Sequence, residues 1–388
     1  MFKIKTGIIA EWLCFSVVFF GFLRYFSGTI HIVSNLIVIG TGAILICFCI
    51  RNYNSSYKYL FLSIGTIIIG LINIIVVHQN VLGRVFHVAI SYFSVALYLS
   101  LTKKRISLSR WIIFYLIVSI FLLYRIYLYG NSIFAHHNRN HVSAILYVLL
   151  FFVVFGFEQG YKKTPFLLYV IFLICCIAAK GRMGIFCSGF FCILILCLRY
   201  YSFDNLKIRR KTLLLTVLAV LIFGFLIFFF SNNINEIIVK LFSRFLTKDN
   251  TVINSNIERV AMLKGYFGKA TDLKGFFIGI NTMIGIPYAN KYGGNIHNAY
   301  LITHSEYGIV GFLIVLIGTI RGSFVFWKNK YTETSLLLAT FYFRSLTDDI
   351  WRNDFGTILV WVGILASLNK NLFTISREKS GGVMSTLN

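Results

Sequence analysis

The run Gly293-Gly-Asn-Ile-His297-Asn298-Ala-Tyr-Leu-Ile-Thr-His304-Ser-Glu306-Tyr-Gly308-Ile-Val-Gly311 holds the residue types best suited to chemistry. A histidine can be neutral near pH 7 and take a proton from a hydroxyl. His297 stands where a glycine-rich stretch gives way to an apolar run, so it reads either as such a base or as an ordinary helix-start residue. A helix from about Asn298 stacks Leu301, Ser305 and Gly308 on one side, and Gly308-x-x-Gly311 would let another helix pack closely. Cations stand elsewhere in the chain. Arg182 ends Lys180-Gly181-Arg182, Arg259 follows Ser255-Asn-Ile-Glu258, and Asn138-Arg139-Asn140-His141 opens another apolar run behind His136 and His137. A guanidinium can hold phosphate oxygens in pairs.

These residues must be placed by a membrane protein. Of 388 residues, 58% are hydrophobic and 13% charged, about half the roughly 25% charged residues of a globular chain. Apolar runs at 7–23, 31–50, 59–77, 85–102, 111–129, 142–157, 165–180, 184–198, 212–230, 298–320, 333–346 and 355–369 predict about twelve transmembrane helices, since roughly 20 apolar residues cross a bilayer. The fold class read from this pattern is an all-α polytopic membrane protein, a single transmembrane domain over 1–388. The net charge of +24, with 37 Lys+Arg against 13 Asp+Glu, would suggest nucleic acid in a soluble chain. Here 21 of the 37 fall in alternate short segments, which the positive-inside rule makes cytoplasmic along with both termini. The charge therefore sets orientation, and no nucleic-acid partner is expected.

That orientation puts one long loop, 231–297, on the outer side. Its start, 233–246, has apolar residues at helical spacing and reads as an amphipathic helix on the membrane surface or packed on the bundle. Ser255-x-x-Glu258 reads as a capping box opening a helix from Ile257 to about Phe267. Lys180 and Arg182 tip a hairpin between two short spans, which would hold them below the outer surface, in a wet cavity or beside an anion, unless they snorkel. Glu11 reads as a snorkelled carboxylate, and Asp348, Asp349, Arg352 and Asp354 as a solvated turn or a sugar contact. The eight cysteines lie in apolar runs and read as small buried hydrophobes. Two prolines give no sign of proline-broken helices. The outer carboxylates Glu236, Asp249, Glu258 and Asp272 form no close pair for a metal.

His297, Asn298, Gly308 and Gly311 match a signature of His, then Asn, Ser or Gln, nine residues, then Gly-x-x-Gly. In this the chain resembles the O-antigen polymerase and O-antigen ligase superfamily of bacterial inner-membrane glycosyltransferases, over about residues 134–355. Other points of likeness are the dominant loop upstream of the motif, Arg182 after the seventh span, Arg259 in the loop helix and the Arg-Asn-His opening of the sixth. Gly181-Arg182-Met183 departs from the Ser-Arg-Gly of many relatives. The resemblance implies an architecture like that of GT-C membrane glycosyltransferases, a periplasmic active site, and a donor glycan on undecaprenyl diphosphate. It implies metal-independent, inverting transfer without a cofactor: His297 as base, Arg182 and Arg259 on the diphosphate, and Asn298, Arg139, His141 and Glu306 binding substrate. A polymerase, with a chain-length regulator as a candidate partner, is favoured over a ligase to lipid A core. A lipid-linked oligosaccharide flippase is the alternative of another class, though the chain lacks the repeated halves usual in transporters.

Overall fold

The computed structural model describes residues 2–26, 28–79, 81–102, 105–130, 132–134, 140–200, 250–351 and 355–369. Over these residues the protein is helical and has no strand. Among the described residues, nine α-helices precede residue 201: α1 (Phe2–Leu23), α2 (Gly28–Asn52), α3 (Tyr57–Val77), α4 (Leu82–Phe86), α5 (Phe93–Leu101), α6 (Leu108–Tyr129), α7 (His141–Gln159), α8 (Phe166–Ala178) and α9 (Arg182–Tyr200). A π-helical turn, His87–Tyr92, joins α4 to α5. Five follow residue 249: α10 (Asn250–Ala270), α11 (Leu273–Ile278), α12 (Ala299–Lys328), α13 (Thr332–Arg344) and α14 (Thr357–Leu368). Seven helical stretches among the described residues are long and apolar enough to cross a membrane, and the chain is a helical membrane protein. The predicted span 212–230, the amphipathic segment 233–246, His136, His137, Asn138 and Arg139 lie outside the described residues.

Helix α7 forms the centre. Every residue from His141 to Gly156 is buried, as expected of a helix apolar on all sides. Its Phe152 stacks flat on Trp111 of α6, with centroids 3.9 Å apart. Helix α13 is shorter and more polar, because its ends belong to two buried polar networks. Glu333 at its start accepts from Arg199 (2.7 Å) and Tyr169 (2.7 Å), and Glu158 accepts the backbone N–H groups of Glu333 and Thr334 at 2.9 and 3.0 Å. Arg344 at its other end enters the network around His297. Thirteen residues rise about 20 Å, which sets the separation of the two networks.

At Gly308 another helix does pack closely, as expected, and it does so at a break in α12 itself. Gly308 has φ 62° and ψ −168°, which breaks α12 into two segments. A Cβ at 308 would collide with the Phe277 carbonyl oxygen, so the glycine admits the end of α11. A break at membrane depth frees carbonyls that need donors. Ser305 O accepts from Ile280 N–H (3.1 Å) and from the buried Asn73 amide (2.9 Å), which also donates to Ile278 O (2.9 Å). Helix α12 is thus interrupted without a proline, and α3 and α11 satisfy the interruption.

Three further expectations change. The helix expected from Ile257 is already formed at Asn250, the first described residue of that stretch, so Ser255-x-x-Glu258 lies inside α10 and is not its cap. Glu11 does not snorkel; it accepts from Ser107 N–H at 2.6 Å and faces Arg110 at 3.4 Å, tying α1 to the start of α6. Asp348 and Asp349 form no solvated turn, each being 5% exposed. The cysteines behave as expected: all eight are free thiols and six are buried.

Candidate active site

Three helices begin at one place. α7 opens at His141, α9 at Arg182 and α12 at Ala299, and contacts among their first residues bring these N-termini together. Gly181 lies against Asn140, where a Cβ would stand 2.9 Å from its Oδ1, and Gly184 lies against Ser143. The start of α12 is held to the end of α13, with Ala299 N–H donating to Ser345 O (3.0 Å) and the Asn298 amide to Leu346 O (3.0 Å). Helix N-termini present a partial positive charge and unpaired N–H groups. This end of the bundle is therefore electrostatically suited to an anion.

Asp348 is a buried acid at the junction. It accepts from the Asn140 amide (3.1 Å), faces Arg344 at 3.9 Å, and lies 3.5 Å from His297 Nδ1. Burial alone would raise its carboxyl. His297, Arg344 and His141 more than offset that and hold it well below the usual carboxylate range. Arg344 is 1% exposed and donates to Ser143 Oγ and Asn140 O, both at 2.8 Å. Asp348 thus stays ionised and turns one ring nitrogen of His297 toward itself, leaving Nε2 without a partner among the described residues. The 3.5 Å approach exceeds a good hydrogen bond; in catalytic pairs such contacts commonly tighten when substrate binds.

His297 itself adopts a left-handed backbone, φ 55°. A non-glycine residue in that region is uncommon, and such strain concentrates at functional sites. Asn295 Oδ1 accepts the His297 backbone N–H at 2.7 Å, and the Tyr292 ring meets the imidazole edge-on at 5.0 Å. Tyr292 donates to Glu258 (2.5 Å), which also accepts from Lys291 (2.8 Å). Lys291 and Tyr292 hold the Glu258 carboxyl below its ordinary range. Helix α10 is seated on this loop by a small apolar cluster that includes Met262, Tyr266, Ile286, Ile296 and Ile302. Tyr266 adds a 2.5 Å hydrogen bond to His304, whose other ring nitrogen meets Phe276 O at 3.0 Å.

The predicted site residues are therefore placed as follows. Arg182 adjoins Gly181, which touches Asn140 and through it Asp348. Arg259 adjoins Glu258, which reaches His297 through Tyr292. Both guanidiniums are half-buried, and neither has an ion-pair or hydrogen-bond partner among the described residues. His141 is buried beside Asn140, with its ring 5.9 Å from Tyr25. Asn298 caps α12, its Oδ1 accepting from Leu301 N–H at 3.0 Å, so its side chain is engaged in structure. Glu306 stands apart. It pairs with Arg84 at 2.7 Å and lines an apolar cavity of about 170 Å³ between α3, α12 and α14, smaller than the roughly 300 Å³ at which ligand pockets begin.

Asp348 was read from the sequence as a solvated turn or a sugar contact; its pairing with His297, and the part played by Arg344, were not. Their signal was present: Arg344 and Asp348 stand at i and i+4 in a chain with 13 acidic residues. Compared with family models, with characterised proteins and with solved structures, the chain matches none.

Proposed function

We propose that the protein is a glycosyltransferase that joins oligosaccharide repeat units carried on undecaprenyl diphosphate, an O-antigen polymerase. The reading is supported above all by the imidazole–carboxylate pair of His297 and Asp348 beside the starts of α7, α9 and α12, with Arg182 opening α9 and Arg259 following Glu258 in α10. In the proposed reaction a sugar hydroxyl of the acceptor attacks the anomeric carbon of the donor. His297 takes the hydroxyl proton as the new glycosidic bond forms, and Asp348 stabilises the imidazolium. The bond from the anomeric carbon to the diphosphate breaks on the opposite face, with inversion. The departing lipid diphosphate is met by Arg182 and Arg259, whose cations offset the charge that develops there. His141 would stand at the edge of the pocket. No metal is assigned a step. A ligase would use the same residues with lipid A core as acceptor.

A flippase for lipid-linked glycan is the second reading, favoured by the break in α12 beside the Arg84–Glu306 pair, since interrupted helices and intramembrane charges occur in transporters. The lipopolysaccharide banding of a deletion strain separates these readings. Core carrying a single repeat unit is the expected result. Bare core with polymer on the lipid carrier would make it a ligase, and lipid-linked unit trapped on the cytoplasmic side a flippase. Unchanged banding would contradict all three.

A further inference from the structure

At the end of the bundle opposite His297, α7, α9, α12 and α13 leave a cleft of about 770 Å³. Its lining includes Lys162, Lys163, Lys330, Arg199, Tyr161 and Trp327. Two acids, Glu158 and Glu333, lie at its base, but both are committed. Glu333 is matched by Arg199 and Tyr169, and Glu158 receives two backbone N–H groups at the start of α13. The three lysines are exposed, and none has a carboxylate partner among the described residues. The cleft therefore has a fixed, internally satisfied floor beneath a surplus of free positive charge.

Two rim residues, Tyr161 (φ 56°) and Lys330 (φ 64°), hold left-handed backbones. Each closes its helix as a left-handed C-cap, with Lys162 N–H donating to Phe157 O and Tyr331 N–H to Phe326 O, both at 3.0 Å, which fixes the backbone of the lysine-bearing rim. Trp327, 42% exposed, ends the apolar α12, and Tyr161, 47% exposed, follows α7. Half-exposed Trp and Tyr at helix ends mark the headgroup level of a bilayer. A basic cleft between helices at that level matches the chemistry of a lipid phosphate.

We propose that this cleft binds the headgroup of an anionic phospholipid. The lysines meet its phosphate, and Trp327 and Tyr161 flank the glycerol and the first part of the acyl chains. The site is independent of the reaction proposed at the other end of the bundle. It is tested by titrating the purified full-length protein in detergent with phosphatidylglycerol and with phosphatidylcholine, and counting bound lipid by native mass spectrometry.

Replacing the three lysines together, Lys162→Ala, Lys163→Ala and Lys330→Ala, should weaken phosphatidylglycerol binding by about a hundredfold, the effect expected of three basic residues facing an anionic lipid. The matched triple Arg51→Ala, Lys58→Ala and Arg321→Ala, at the same end, should change it by less than about threefold. The Lys-to-Arg triple should retain binding. All three lysines are exposed, so an unaltered melting transition in phosphatidylcholine checks that the fold survives. Equal binding by wild type and the lysine triple would overturn the proposal, as would an equal loss in the matched triple. Displacement of the lipid by millimolar inorganic phosphate would assign the site to a soluble phosphate instead and overturn its lipid identity.

Discussion

Replacing Arg344 with Ala should destabilise the protein by about 3–5 kcal/mol, the range for removing one member of a buried charge pair. Arg344 is 1% exposed and Asp348 5%. Each charge was taken out of water, and its compensation is local: Ser143, Asn140 and the partner charge. Asp348→Ala should cost a similar amount by stranding the guanidinium. The double variant Arg344→Met with Asp348→Leu should cost clearly less than the sum of the single changes, because it leaves neither charge behind. Unfolding in detergent micelles measures all of these, and a cost under about 1 kcal/mol for Arg344→Ala would show that the pair is hydrated. The pH dependence follows with its sign. The folded Asp348 carboxyl lies below its unfolded value, so its contribution is complete above the ordinary carboxylate range and is lost as pH falls toward the folded value. Asp348→Asn should flatten that acid limb.

Gly308→Val should be as damaging, through the backbone. With φ 62° and ψ −168°, the residue occupies a region that essentially only glycine enters, at about 1–3 kcal/mol for any other residue. The Cβ would also meet the Phe277 carbonyl, so α11 would have to withdraw and the Asn73 and Ile280 hydrogen bonds to Ser305 O would open. The expected total is at least about 3 kcal/mol, with most of the expressed protein aggregated. Gly65→Ala serves as the control, since a Cβ there meets nothing within 4 Å. Equal yields of the two variants in gel filtration would mean that α12 is continuous.

The legible parts of this molecule were those written in local spacing. Long apolar runs specify helices wherever they occur, so α2, α3, α6, α7 and α12 follow from their sequences. His297 could be singled out because it stands between a glycine-rich stretch and an apolar run. The partners of His297 were not legible, because they come from three separate places: Asn140 before α7, Tyr292 in the loop, and Asp348 after α13. Asp348 beside Asp349 has the local look of a solvated turn, and only the arrival of Arg344, Asn140 and His297 makes burial possible. The close packing at Gly308 was legible, but the break in α12 there was not, for a related reason. Its neighbours are apolar on both sides, and its unusual backbone is set by the carbonyl of Phe277, 31 residues upstream. The polar character of α13, which weakens its reading as a span, arises because Glu333 and Arg344 each anchor a network at one of its ends.

The central claim, that His297 is the base of a glycosyl transfer from a lipid diphosphate, is tested most directly with purified protein. The protein would be reconstituted with undecaprenyl-diphosphate-linked oligosaccharide and product length read by gel electrophoresis, for wild type and for His297→Ala. The wild type should give polymer and the variant a rate about 10²–10⁴-fold lower, the usual contribution of a positioned base, with both proteins showing the same melting transition. Polymer formed at the wild-type rate by His297→Ala would contradict the claim.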